Sequence, residues 1–191
     1  MPSQFLYFAY GSNLLTRRLR ARTASATPVG WGVLPEHCLR WHMVSTDGSG
    51  KCDVVDDPGT PMPVHGVVYR IDADEKRLLD RAESVGVGYR DAQVAVRMGA
   101  QTVSAWVYRA LRTDAAVLPF DWYHALVLAG AREHGLPDAY VRALAGVRTR
   151  PDPDAARAGQ NLALLALPEP NNKSRCSYRT GFADSAGGIC P

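Results

Sequence analysis

Residues 89–109, YRDAQVAVRMGAQTVSAWVYR, decide the fold. Tyr89–Arg97 and Gln101–Arg109 are two β-runs, and Met98-Gly99-Ala100 between them is a hairpin signature. Strands joined this way belong to an antiparallel or mixed sheet. Upstream, Val64–Ile71 (VHGVVYRI) is another β-segment. Between these, Asp74–Ala82 places Leu78, Leu79 and Ala82 at helical spacing, runs into Glu83 and stops at Gly86 and Gly88. Further out, Gln4–Tyr10 (QFLYFAY) reads as a buried strand broken by Gly11-Ser12-Asn13. Leu14–Arg22 then follows as a short helix, with Asn13 as its N-cap. Leu39, Trp41 and Met43 alternate with Arg40 and His42, which predicts a strand with one wet face. Cys52–Val55 forms another short strand. Gly30 and Gly32 mark a loop, and the prolines of Asp56–Pro63 mark a second. Helices are predicted over Phe120–Glu133 and from Pro137 to Leu144. The expected class is α+β: a small antiparallel or mixed sheet, open or closed into a β-barrel, with flanking helices. A doubly wound sheet would need a helix after nearly every strand, and those are missing.

A chain of 191 residues with 46% hydrophobic content fits one compact domain. After Gly146 the character changes, through Pro151, Pro153 and a short apolar stretch at Leu162–Leu167 to a polar, aperiodic Pro168–Pro191. The expected organisation is a principal domain over 1–146 and a partly irregular extension over 147–191, ending in a loosely held tail. The net charge of +3 is far from that of a dedicated nucleic-acid binder. No apolar run approaches the ~20 residues of a membrane span, and no signal peptide opens the chain. Cys38, Cys52, Cys176 and Cys190 are too scattered for a disulfide framework, which predicts a reducing cytoplasm. Without C-x-x-C or H-x-x-x-H, a dedicated zinc site is not expected. Of the 22 basic residues 19 are arginine, a bias that fits a GC-rich bacterial genome.

The chemistry-bearing candidates are few. Tyr10-Gly11-Ser12-Asn13-Leu14 brings a glycine, which lets backbone N–H groups approach a ligand, to the start of a helix with free donors. Such a turn suits a carboxylate or a developing oxyanion; the plain alternative is a capped strand-to-helix turn. Glu83 lies among apolar residues at a glycine-rich helix end, where partial burial makes a carboxylate a better proton acceptor. The plain alternative is a solvated glutamate. Tyr7, Tyr10, Tyr89, Tyr108 and Tyr123 sit on or near β-segments or at a helix start, where each one singly reads as core packing. No G-x-S-x-G elbow supports a serine triad, and no basic motif activates a cysteine. Arg17, Arg18, Arg20 and Arg22 read as the solvated face of a helix, with phosphate contact as the alternative.

These signals coincide with a family. Phe5–Thr16, FLYFAYGSNLLT, resembles the opening of the γ-glutamylcyclotransferase (AIG2-like) family, with its Y-G-S-N-L signature. The resemblance continues in order through Gly66–Arg70, Leu79–Glu83 with Gly88-Tyr89, Ala105–Tyr108 and Gly130–Pro137, and covers about Phe5 to Leu144. It implies a small mixed fold on a β-barrel that cleaves γ-glutamyl amides to 5-oxoproline and a free amine, without metal or cofactor. By motif, Glu83 is the implied general acid/base. Tyr7, Phe8, Ala9, Tyr10, Gly11 and Ser12 are implied to line the pocket floor, Asn13 and Leu14 complete the signature, and Tyr89, Tyr108 and Tyr123 contact substrate. The implied partner is a small γ-glutamyl substrate, with no nucleic acid or membrane; a homodimer is left open. One departure stands out: the family commonly has glycine after the catalytic glutamate, and this chain has Ser84. If that position needs a positive φ, serine is strained there. Rival readings are a non-catalytic module binding a γ-glutamyl or carboxylate metabolite, a deprotection step in biosynthesis, and a phosphate or nucleic-acid binder using Arg17–Arg22.

Overall fold

The hairpin forms as the sequence predicts. In the computed structural model, which describes residues 3–166, β6 (Tyr89–Met98) and β7 (Gln101–Ala110) pair in unbroken register from Tyr89↔Ala110 to Met98↔Gln101. Gly99 turns the corner with a φ of +59°, a conformation glycine adopts without steric cost. The other barrel strands are β1 (Gln4–Ala9), β2 (Thr27–Leu34) and β5 (Val64–Asp72), and the closed order is β1-β5-β2-β6-β7. β3 (His37–Val44) and β4 (Gly50–Asp56) form a separate antiparallel ribbon. Flanking helices are α1 (Thr16–Arg20), α2 (Lys76–Ala82), α3 (Asp121–Glu133), α4 (Asp138–Ala145) and α5 (Ala155–Ala166). The fold class is therefore the mixed α+β barrel expected.

The barrel has two unequal halves. β5 pairs antiparallel with both β1 and β2, each through at least six register pairs. The β6–β7 hairpin joins this three-stranded half through single register pairs, parallel Tyr7↔Trp106 on one side and antiparallel Val33↔Arg97 on the other.

Three expectations need correction. Gly30 and Gly32 lie inside strand β2, not a loop. A Cβ on Gly32 would sit 2.7 Å from Val96 Cγ1 and 3.0 Å from the Arg97 carbonyl, so this glycine permits close approach of β6. Leu14–Arg22 is not one helix: a 3-10 turn covers Ser12–Leu14, Leu15 is extended, and α1 is only five residues long. Asn13 is no N-cap; its side chain caps neither segment and turns inward. Finally, Leu162 and its apolar neighbours belong to α5, a twelve-residue helix within the extension that packs on α3. The predicted tail at Pro168–Pro191, with Cys176 and Cys190, lies outside the described residues.

The core fills the barrel and the face under α3. Phe8, Val67, Val68, Tyr69, Ile71 and Val107 are fully buried, and Leu126, Val127 and Ala131 of α3 close over them. Each large side chain so buried contributes roughly 1.5–3 kcal/mol. Gly130 of α3 brings that helix against the signature turn: a Cβ there would lie 2.3 Å from Leu15 N and 2.4 Å from Leu14 C. The turn's position is thus set by helix packing.

Candidate active site

A cleft of about 280 Å³, measured out to its mouth, opens where the end of β1, the signature turn, β4 and the segment after α2 meet. It is lined by Tyr7, Tyr10, Gly11, Ser12, Asn13, Cys52, Glu83, Tyr89, Tyr108 and Tyr123. The fold thus brings together Glu83 and eight of the eleven other residues singled out from sequence. Phe8, Ala9 and Leu14 do not line the cleft. Strand alternation sends Phe8 to the opposite face from Tyr7, where its ring lies against Gly66. Ala9 and Leu14 are fully buried in the core, and Leu14 is pressed under Gly130.

Glu83 is the C-terminal cap residue of α2, and its side chain is 15% exposed. Instead of the apolar surroundings expected, it meets a polar network. Its Oε1 accepts from Asn13 Nδ2 at 2.8 Å and from an Arg22 guanidinium nitrogen, NH1, at 2.5 Å. Asn13 Nδ2 also donates to the Tyr7 hydroxyl at 3.0 Å, and Arg22 NH1 donates to Asn13 Oδ1 at 2.9 Å. Glu83 Oε2 has no hydrogen-bond partner among the described residues. One carboxylate oxygen is anchored, and the other is available. Asn13 is the hub, a role its short amide performs only because the 3-10 turn aims it inward.

The residue after Glu83 carries the strain its identity foretold. Ser84 has a φ of 51°, the left-handed region where a Cβ is disfavoured. Its carbonyl accepts from the Val87 and Gly88 N–H groups, at 3.0 and 2.8 Å, so the loop's own turn bonds hold it there.

The tyrosines both pack and bond. Tyr89 donates to the Cys52 carbonyl at 2.8 Å, and the Cys52 N–H donates to the Tyr123 hydroxyl at 3.1 Å. Tyr108 donates to Asp80 Oδ1 at 2.6 Å, and Tyr10 donates to the Tyr108 carbonyl. A Cβ on Gly11 would lie 2.9 Å from the Tyr123 hydroxyl, so only glycine leaves that hydroxyl room. Burial pushes the ionisation of Tyr7, Tyr10, Tyr89, Tyr108 and Tyr123 well up, and neighbouring anionic groups add to it. All five remain neutral hydroxyl donors at physiological pH. Burial likewise pushes the Cys52 thiol up to about 12, so it is no thiolate nucleophile.

Sequence reading missed Arg22, Cys52 and Asp80. Arg22 was one of several arginines assigned to a solvated face, and nothing in the local spacing distinguishes it. Among the described residues no cluster of three or more His, Cys, Asp or Glu side chains could hold a metal ion. No described helix is long and apolar enough to cross a membrane.

Comparison with known proteins places this arrangement. Residues 63–144 match the model of the AIG2-like family. A mouse (Mus musculus) protein named gamma-glutamylcyclotransferase is 31% identical over 157 residues, covering 75% of this chain and 78% of that protein. The chain belongs to the γ-glutamylcyclotransferase family. The human (Homo sapiens) γ-glutamylcyclotransferase is similar at 30% identity over the same span of 157 residues. A solved structure described as gamma-glutamyl cyclotransferase superposes with a TM-score of 0.72 at 28% identity, covering 78% of this chain and 90% of that one. These γ-glutamylcyclotransferase relatives support an enzymatic activity of the same family.

Proposed function

We propose that this protein cleaves γ-glutamyl amides by intramolecular cyclisation, releasing 5-oxoproline and a free amine, with Glu83 as the proton relay. The single observation that carries this is the half-anchored carboxylate. Arg22 and Asn13 fix Oε1, and Oε2 lies free at the cleft wall.

The γ-glutamyl group brings its own nucleophile. Its α-amine attacks the γ-carbonyl carbon, a C–N bond closes a five-membered lactam, and the amide C–N bond breaks. Attack within one molecule needs orientation more than an activated side chain, and good orientation is worth up to ~7–11 kcal/mol. An α-ammonium titrates near pH ~8, so it must first lose a proton. Glu83 Oε2 takes that proton and, as the new C–N bond forms, the second proton of the attacking nitrogen, and hands each in turn to the departing nitrogen, which leaves as an ammonium while the carboxylate ends as it began. The tetrahedral oxyanion takes donors from the backbone N–H groups of Gly11–Asn13, which open a 3-10 turn and lack partners within it. The Tyr7 hydroxyl, which accepts from Asn13, keeps its proton to donate to the glutamyl carboxylate. This chemistry calls on neither a metal nor a side-chain nucleophile.

The test is 5-oxoproline release from a panel of γ-glutamyl amino acids and amines by the wild type and Glu83→Gln. The glutamine keeps the Arg22 and Asn13 contacts through its carbonyl oxygen but cannot accept the α-amine's proton. Turnover is expected to fall at least ~100-fold with 5-oxoproline binding retained. A Glu83→Gln enzyme with most of its activity overturns the relay. A wild type that binds 5-oxoproline yet turns over no γ-glutamyl amide marks a binding module.

A further inference from the structure

Lys51 and Arg18 lie over the Trp122 ring, Arg157 lies over the adjacent Phe120 ring, and Arg22 reaches the signature turn at Asn13; all of these but Arg18 have carboxylate partners. Lys51 pairs with Asp47 at 2.8 Å, Arg22 with Glu83 at 2.5 Å and Arg157 with Asp152 at 2.5 Å. Arg18 has none among the described residues. Its Nε donates to Ser12 Oγ at 2.9 Å, its NH1 donates to Asn161 Oδ1 at 2.8 Å, and its guanidinium lies 5.8 Å from the Trp122 ring centre. Burial, reinforced by the nearby Arg22, lowers its pKa to about 10, which leaves it charged at neutral pH. Its hydrogen bonds go to neutral partners and Glu83 acts on it only through space, so a largely buried cation here gains from an anion in direct contact.

Its contact with Ser12 directs that charge toward the cleft. A hydroxyl offers one proton and accepts at its lone pairs. With Arg18 Nε donating to Ser12 Oγ, the serine proton must point elsewhere, and Ser12 lines the cleft. Asn161 is itself fixed: its Nδ2 donates to the Arg157 carbonyl one turn back at 2.8 Å, which aims Oδ1 at Arg18. Asn161 lies on α5, beyond the stretch where the sequence resembles the family. The helix is further tied to α1 through Arg17 NH1, which donates to the Leu164 carbonyl at 2.8 Å.

We propose that Arg18, braced by Asn161 of α5 and without a carboxylate in contact among the described residues, polarises the Ser12 hydroxyl to hold a carboxylate of the substrate. Both are positioning residues acting through Ser12, and α5 is a working part of the site. The inference rests on the proposed reaction for the identity of the ligand, and its test separates the two.

The experiment measures kcat and KM for a γ-glutamyl amino acid, the Kd of 5-oxoproline by calorimetry, and Tm, for Asn161→Ala, Asn161→Asp and Arg18→Met. Asn161→Ala and Arg18→Met are expected to raise KM and Kd about tenfold, the loss of one charge-assisted contact, with kcat within about twofold. Asn161→Asp is the discriminating variant. It keeps the acceptor that braces Arg18 but supplies the missing counter-ion, so KM and Kd rise at least as far while Tm holds. A purely structural bridge would be preserved by that change, so wild-type KM and Kd in Asn161→Asp overturn the proposal. A fall in kcat at constant KM overturns it too, because the group held would then be the oxyanion. If the wild type releases no 5-oxoproline but its Kd responds to these variants, the reaction fails and the carboxylate wall stands.

Discussion

Two glycines in helices, Gly130 of α3 and Gly159 of α5, should respond oppositely to the same substitution. In an open helix, Gly→Ala stabilises by up to ~1 kcal/mol, because alanine loses less backbone freedom on folding. At Gly159 the new Cβ meets nothing within 4 Å, so Gly159→Ala should show that gain and raise Tm by about 2–4 °C. At Gly130 the Cβ would lie 2.3 Å from Leu15 N, 2.4 Å from Leu14 C and 2.5 Å from Leu14 Cβ. Ordinary contact begins near 3.4 Å, so α3 and the signature turn must separate by about 1 Å. Overpacking against backbone costs at least the upper end of ~1–3 kcal/mol, and the propensity gain offsets about 1. The net is a loss of about 2 kcal/mol, or roughly 4–8 °C in Tm. The segment displaced carries Ser12 and Asn13, and a misplacement of about 1 Å in such a site can cost ~100-fold in rate. Thermal melts by circular dichroism and a 5-oxoproline release assay read both effects. If Gly130→Ala melts at or above the wild type and turns over normally, α3 does not set the position of the turn.

Ser84→Gly should relieve a left-handed penalty of about 1–2 kcal/mol, offset by ~0.5–1 for the freer unfolded chain, so Tm should rise by a few degrees. A lowered Tm would show that the serine side chain stabilises the loop. Tyr123→Phe leaves the buried Cys52 N–H without its acceptor and should cost ~1–3 kcal/mol in denaturant unfolding; an unchanged midpoint would mean that the bond contributes nothing. Asp152 accepts from Arg157 and also from Trp122 Nε1 at 2.7 Å, and these contacts hold its carboxyl well below the usual carboxylate range. A depressed folded-state pKa gives stability that is fully present above the unfolded value of about 3.9 and is lost as pH falls through the folded one. Asp152→Asn should therefore lower Tm at pH 5–7, and the gap to wild type should narrow below about pH 4. A gap that widens on acidification would reverse the assignment.

The hairpin at 89–109 was legible because alternation and a turn glycine agree at one place. β2 was hidden because Gly30 and Gly32 carry the composition of a loop, while Gly32 serves close strand contact that only the partner strand reveals. Asn13 illustrates a second limit. A helix cap and a cleft hub call for the same short polar side chain, and which one it becomes depends on Leu15 breaking the helix. Of the arginines at 17–22 only Arg20 has the solvated position the pattern predicts; Arg17 and Arg18 bond to α5, and Arg22, beyond the end of α1, bonds to Glu83. Glu83 is a candidate from its glycine-rich helix end, where a solvated glutamate reads at least as well; the family resemblance is what sets it apart. Its anchoring partner Arg22 lies 61 positions away and could emerge only once the chain had folded.

The two halves of the barrel bear on how the cleft works. Tyr7, Tyr10 and the signature turn belong to the three-stranded leaf, whereas Tyr89 and Tyr108 belong to the hairpin leaf. Each leaf is stitched within itself by a long ladder, and the leaves meet through one register pair at each seam. The cleft lies along one of those seams, where Tyr7 faces Trp106. Parting the leaves there breaks few ladder bonds and leaves both ladders whole. The barrel is thus a clasp: two leaves, each held by its own long ladder, that meet beside the cleft through one register pair and the Tyr10–Tyr108 bond.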